Sequence, residues 1–96
     1  MLALTGDIDI HTAPQVRDCL ASLQADGTTS IVVDLAGVSF LDSSALGALV
    51  AAHRDLTSAG GRLKLAAPRP HVLKVFRITR LTDVMPIFDS VDAACE

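Results

Sequence analysis

Asp42, Ser43 and Ser44 stand together where an apolar run beginning at Ile31 gives way to a segment of small residues with helical spacing. A hydroxyl at such a strand-to-helix junction lies beside backbone N–H groups that have no partner inside the helix. It can receive a phosphoryl group there without unfolding its surroundings, which is the chemistry of a switch. Asp and Ser are also favoured N-cap residues, so the same three residues serve as a plain helix start. Asp42 either orients the hydroxyl or caps the helix; spacing does not separate the two roles.

A second cluster of polar residues precedes it, in Leu4-Thr5-Gly6-Asp7-Ile8-Asp9-Ile10-His11-Thr12-Ala13. This block resembles the Leu-Thr-Gly-Glu-Leu-Asp-x-x-Thr-Ala segment of STAS domains. Asp42-Ser43-Ser44-Ala45-Leu46-Gly47 resembles the Asp-Ser-Ser/Thr-Gly-Leu-Gly signature of the same family, specifically of the bacterial anti-sigma factor antagonists. The likeness extends over nearly all 96 residues, with Gly60-Gly61-Arg62-Leu63 where that family closes its second helix and begins another strand. It implies that Ser43 is the phosphorylated serine and that Ser44 fills the following hydroxyl position. It implies also that Asp9 is the acidic residue near the phosphorylation site. The partner-binding set it implies is Asp9, His11, Thr12, Asp42, Ser43, Ser44 and Leu46. The plain alternatives are a turn-forming Asp9, a solvated His11 and a capping Ser44. Two departures stand out. Ala45 replaces the family's usual Gly, a better helix residue whose side chain is expected to narrow the approach of a kinase or partner helix. The family's usual first strand, before the Thr-Gly block, is not found here: either the sequence starts short of it, or this member dispenses with it and leaves an edge of the sheet for something else to cover.

Other chemistries find little support. Asp34 follows the apolar run as a nucleotide-site carboxylate does, but no Gly-rich Lys-Ser/Thr loop accompanies it. No Gly-x-Ser-x-Gly elbow surrounds either serine, which argues against a hydrolase. His53 falls on an apolar helical stripe and is expected to be a satisfied, partly buried histidine. Lys74, Arg77 and Arg80 recur every third residue, the pattern of a solvated helix face or, less often, of an acidic partner's contact. A net charge of −3 with neither Trp nor Tyr argues against nucleic-acid binding. No run approaches the roughly 20 apolar residues that span a bilayer. Met1-Leu2-Ala3-Leu4, followed by Asp7 and Asp9, lacks the basic leader and apolar core of a signal peptide, so a cytoplasmic location is expected. Cys19 and Cys95 are read as free thiols, with a regulatory disulfide through a mobile Cys95 tail as the alternative. No Cys/His spacing of zinc type occurs, and no cofactor is called for.

Half of the residues are hydrophobic, yet the aromatic ones are three Phe, so Ala, Val, Leu and Ile must build the core of one domain, residues 1–96. Leu2 to Thr5 reads as a strand, and Thr12 as the N-cap of a helix with Pro14 in its first turn and Val16, Leu20 and Leu23 on its inner face. Ser30 to Leu35 reads as a central strand covered on both faces. Leu46, Leu49, Val50, His53 and Leu56 trace a second helix that Gly60-Gly61 ends. Leu63 to Ala67 forms a further strand, and Val72, Val75 and Phe76 the face of a third helix. Val84 to Phe88 reads as a last strand weakened by Pro86, and Val91 to Cys95 as a terminal helix. The alternation predicts an α/β fold, a mixed, mainly parallel sheet of about four strands with helices packed against it.

The family likeness implies a partner switch. The unmodified chain would bind an anti-sigma factor with serine-kinase activity and a histidine-kinase-like ATPase fold, freeing a sigma factor. Phosphorylation of Ser43 would end the association, and the chain would be a substrate and not an enzyme. The alternative is a non-switching STAS subunit docking on an ATPase of a lipid or anion transport complex.

Overall fold

A computed structural model describes residues 2–95. Its elements are β1 (Leu2–Ile8), α1 (Ala13–Ala25), β2 (Ser30–Leu41), α2 (Ser43–Ser58), β3 (Arg62–Ala66), α3 (Pro70–Ile78), a 3₁₀ turn (Leu81–Asp83), β4 (Ile87–Phe88) and α4 (Val91–Cys95). The four strands lie in the order β1-β2-β3-β4, and each neighbouring pair is parallel. The helices between the strands supply the long crossovers that parallel neighbours need.

The apolar run in β2 sorts its side chains by the strand's period of two. Ile31, Val33 and Leu35 enter the main core with Val16 and Leu20 of α1, Leu49 and Leu56 of α2, and Val72 and Phe76 of α3. Val32 points the other way, into a smaller cluster with Ala66, Phe88 and the α4 residues Val91 and Ala94. The run is therefore covered on both faces, as its lack of alternation predicts.

The C-terminal segment is pinned. Ala94 is 1% exposed, and Lys64 Nζ donates to the Ala94 carbonyl at 2.9 Å while lying 5.4 Å from the Phe88 ring centroid. Cys95 thus ends a docked helix and not a mobile tail; it and Cys19 are free, exposed thiols. The last strand is shorter than the five residues predicted. Pro86 has no N–H for the ladder, but its carbonyl accepts from Leu65 N at 2.9 Å, and the Phe88 carbonyl accepts from Ala67 N at 2.8 Å, so the pairing survives the proline.

Two glycines set the α2–β3 junction. Gly60 takes φ +82, the left-handed conformation that ends a helix, and Gly61 N donates to Leu56 O at 2.7 Å to close it. Gly61 then passes so near Thr29 that a Cβ on it would lie 2.0 Å from the Thr29 carbonyl oxygen.

Candidate functional site

Parallel pairing of β1 and β2 brings the two polar clusters together. Ile8 and Leu41 are register partners at the C-terminal ends of adjacent strands, and Asp42 N donates to Ile8 O at 3.1 Å. Ligand sites of open α/β sheets collect at this end, outside the strand termini.

Asp9 organises the first loop. Its Oδ1 accepts from His11 N at 2.9 Å and from Thr12 N at 3.2 Å, while Asp9 N donates to Thr12 Oγ1 at 2.8 Å. The turn-forming role is therefore realised. Thr12 occupies the N-cap position of α1, but its side chain makes no capping bond there. The hydroxyl turns back to the loop, because Asp9 N and the carbonyl oxygens of Asp7 and Asp9 lie within its reach. The same backbone bonds hold the Asp9 carboxyl below its ordinary value of 3.8, the His11 N–H contributing most and partial desolvation opposing. A depressed carboxylate stabilises its loop above that ordinary value and loses the effect as the pH falls through the folded value. The His11 amide resonance is thus expected to shift in a proton NMR titration below pH 3.8. Asp9→Asn, which retains the acceptor oxygen, is expected to remove that transition.

Asp42 caps α2. It has extended backbone angles, and its Oδ1 accepts from Ala45 N at 3.0 Å. Of the two roles left open for it, capping is the one its geometry fills. Its carbonyl takes Leu46 N, which leaves the Ser43 and Ser44 amides in the first turn as donors for an incoming acceptor. Ser43 is the first helical residue and is exposed; Ser44 is half-buried beside it.

Two expectations for α2 are corrected. Ala45 is 1% exposed and packs in the main core, so its side chain points away from anything approaching Ser43. Leu46 is 9% exposed and also packs in the core; it supports the site from beneath and presents little to a partner. Both follow from the cap: with Asp42 at the helix start, positions 45, 46 and 49 turn toward the sheet. His53 is half-buried on this helix, but its Nδ1 has no partner, contrary to the satisfied histidine expected. With the proton on Nε2, Nδ1 leaves only a lone pair unpaired, a smaller cost than an orphaned donor. Asp34 Oδ1 accepts from Ala36 N at 3.0 Å, where the β1–β2 register shifts.

Spacing did not single out Ile10. It is 65% exposed in the Asp9 loop and lines a groove of about 340 Å³ with Ala13, Pro14 and Arg17 on one side and Ser44 and Gly47 on the other. The available signal was a large apolar residue between two polar ones at a loop tip. Phe40, 51% exposed and opposite Asp7 in the β1–β2 register, adds a second apolar surface near this end of the sheet. At Gly47 a Cβ would meet nothing within 4 Å. Gly47→Ala is therefore expected to raise stability by about 0.5–1 kcal/mol in thermal denaturation, by relieving a helical glycine. Gly47→Leu is expected to fold as well but to fill the groove and weaken any partner seated there.

A helix-backed parallel sheet thus presents a capped serine beside an Asp loop. The chain belongs to the STAS domain family, which matches residues 1–94. Over 87 residues it is 30% identical to the anti-sigma-B factor antagonist of Staphylococcus aureus, covering 91% of this chain and 81% of that one. An anti-sigma factor antagonist from Mycobacterium paratuberculosis superposes with a TM-score of 0.87 at 29% identity, covering 97% of this chain and 79% of the other. The antagonist SpoIIAA, solved in its unphosphorylated form, gives 0.75 at 28% identity over 97% and 81%. Its phosphorylated form gives 0.69 at 31% identity over 88% and 78%. No helix among the described residues is long and apolar enough to cross a membrane.

Proposed function

We propose that this chain is an anti-sigma factor antagonist that binds an anti-sigma factor when unmodified and releases it when Ser43 is phosphorylated. The carrying observation is the exposed Ser43 at the first position of a 16-residue helix, with the cap of Asp42 and the Asp9 loop beside it. The relatives' names support the antagonist role, and SpoIIAA occurs in a phosphorylated form. The partner is an anti-sigma factor with serine-kinase activity. Ser43 Oγ attacks the γ-phosphorus of that partner's ATP, ADP departs, and the hydroxyl proton is lost.

The switch is asymmetric in energy. A phosphate brings about −1.5 to −2 charges, which a helix N-terminus with free amides favours. The fold should therefore tolerate it. In a docked interface the same charge must be desolvated near Asp7, Asp9 and Asp42, and like charges brought together there cost several kcal/mol. Ile10 and the groove it borders supply the apolar part of the docking surface. In this scheme the chain is a substrate and regulator, not an enzyme, and needs no cofactor of its own.

The test is capture of the bound partner from native lysate, followed by incubation of the purified pair with ATP and mapping of the modified peptide. An anti-sigma factor that transfers phosphate to Ser43 is the expected outcome. Recovery of a transport ATPase with no transfer would replace this reading with that of a non-switching docking subunit.

A further inference from the structure

β2 extends well beyond its neighbour. β3 ends at Ala66, opposite Asp34, so from Ala36 onward the β3-side edge of β2 has no strand beside it. Two side chains from the start of α3 fill the gap. Arg69 Nε donates to Ala36 O at 3.0 Å, and His71 Nε2 meets Ser39 O. A carbonyl oxygen only accepts, so Nε2 carries the proton. Both residues come from a helix start that is anchored, because Val72 and Phe76 of α3 are 1% and 0% exposed. The far end of the same extension carries Asp42, which pairs with Ile8 O and caps α2.

We propose that Arg69 and His71 are positioning residues for the switch: they replace the missing β-ladder along the β2 extension and hold Asp42 and Ser43 against the Asp9 loop. Neither residue has to touch a partner or the phosphoryl group. The role is carried by hydrogen bonds to main-chain oxygens, so a side chain with a comparable donor should preserve it. Its functional half rests on the reading of Ser43 given above; its structural half does not.

Hydrogen exchange on the chain of residues 1–96 separates the two. In His71→Leu combined with Arg69→Ala, the Asp42 and Ala45 amides are expected to exchange about tenfold faster, the effect of losing two hydrogen bonds of ordinary net strength. The Val33 and Leu65 amides, deep in the sheet, should keep their wild-type rates. His71→Gln, which retains an N–H near the Nε2 position, is expected to exchange like wild type when Arg69 is intact. Unchanged rates at Asp42 and Ala45, a uniform rise that includes Val33 and Leu65, or no rescue by Gln would each overturn the proposal. None of these readouts involves a partner, so a failure of the Ser43 reading leaves the exchange result standing. If both hold, the double variant should also bind the captured anti-sigma factor more weakly while His71→Gln does not.

Discussion

Ser43→Asp is expected to leave the melting temperature within about 4 °C of wild type while weakening binding to the anti-sigma factor by about 100-fold or more, the equivalent of about 2.7 kcal/mol. The two halves come from one position. Ser43 is exposed at the start of α2, where a carboxylate interacts favourably with the helix dipole and displaces no packed atom. In a complex, that carboxylate loses water next to Asp9 and Asp42, and the loop residues Ile8 to Ala13 hold no Lys or Arg to relieve the charge contact. Ser43→Ala provides the control: it should fold, bind and fail to accept phosphate. Circular dichroism for stability and surface plasmon resonance for affinity read both halves. If Ser43→Asp binds like Ser43→Ala, charge at this position is not the release signal.

Gly61→Ala is expected to be the glycine-to-alanine substitution with the most severe clash. The new Cβ would stand 2.0 Å from the Thr29 oxygen and 2.9 Å from its carbonyl carbon, both main-chain atoms that no rotamer change can move. Arg62 N donates to the same oxygen at 2.8 Å, and the next pair, Ser30 with Arg62, opens the β2–β3 register. Relief of the clash therefore shifts the start of two core strands. Overpacking of this kind costs about 1–3 kcal/mol, which in a domain of this size lowers the melting temperature by about 4–8 °C for each kcal/mol. Thermal denaturation followed at 222 nm, a far-ultraviolet helix signal, measures it. A melting temperature unchanged by the substitution would mean that Gly61 is not held against Thr29 in solution. The contrast with Gly47→Ala is informative, because Gly47 lies within α2 and Gly61 just past its end, and only Gly61 has a neighbour in the way.

Sequence periodicity carried the interior well and the edges less well. Ile31 to Val33 announced a buried strand because three successive β-branched residues leave no face for water, and Leu46, Leu49 and Leu56 announced the buried stripe of α2. β1 ran on past Thr5 to Ile8 because Gly6, at φ +76, absorbs a register shift that interrupts strict alternation. β2 ran on to Leu41 for a related reason: the Asp34 side chain bonds the Ala36 amide where the β1–β2 register shifts, and the strand continues through this irregularity. Irregularities of this kind conceal a strand from any test for period two.

The site was legible as a set of residues and less so as a surface. Asp9, Asp42, Ser43 and Ser44 do meet at one end of the sheet, since parallel strands deliver both loops to the same side. Which way a side chain points within a first helical turn depends on the cap and the core, and spacing alone does not specify it. Ala45 and Leu46 accordingly faced inward, while Ile10, fixed in a loop by the Asp9 turn, faced outward. The pairing of Arg69 and His71 with β2 carbonyls was not readable at all. Contacts of sequence separation 33 and 32 between exposed side chains and main-chain oxygens leave no pattern in composition.

The central claim is that one phosphoryl group on Ser43 ends an otherwise stable association. The most direct measurement is isothermal titration of the captured anti-sigma factor with this chain in two forms, unmodified and quantitatively phosphorylated at Ser43, under identical salt and pH. The expected result is saturable binding by the unmodified form and no measurable heat from the phosphorylated one, with matching circular dichroism spectra for both. Equal affinity for the two forms would contradict the account, because the site would then be a docking surface that phosphate does not switch.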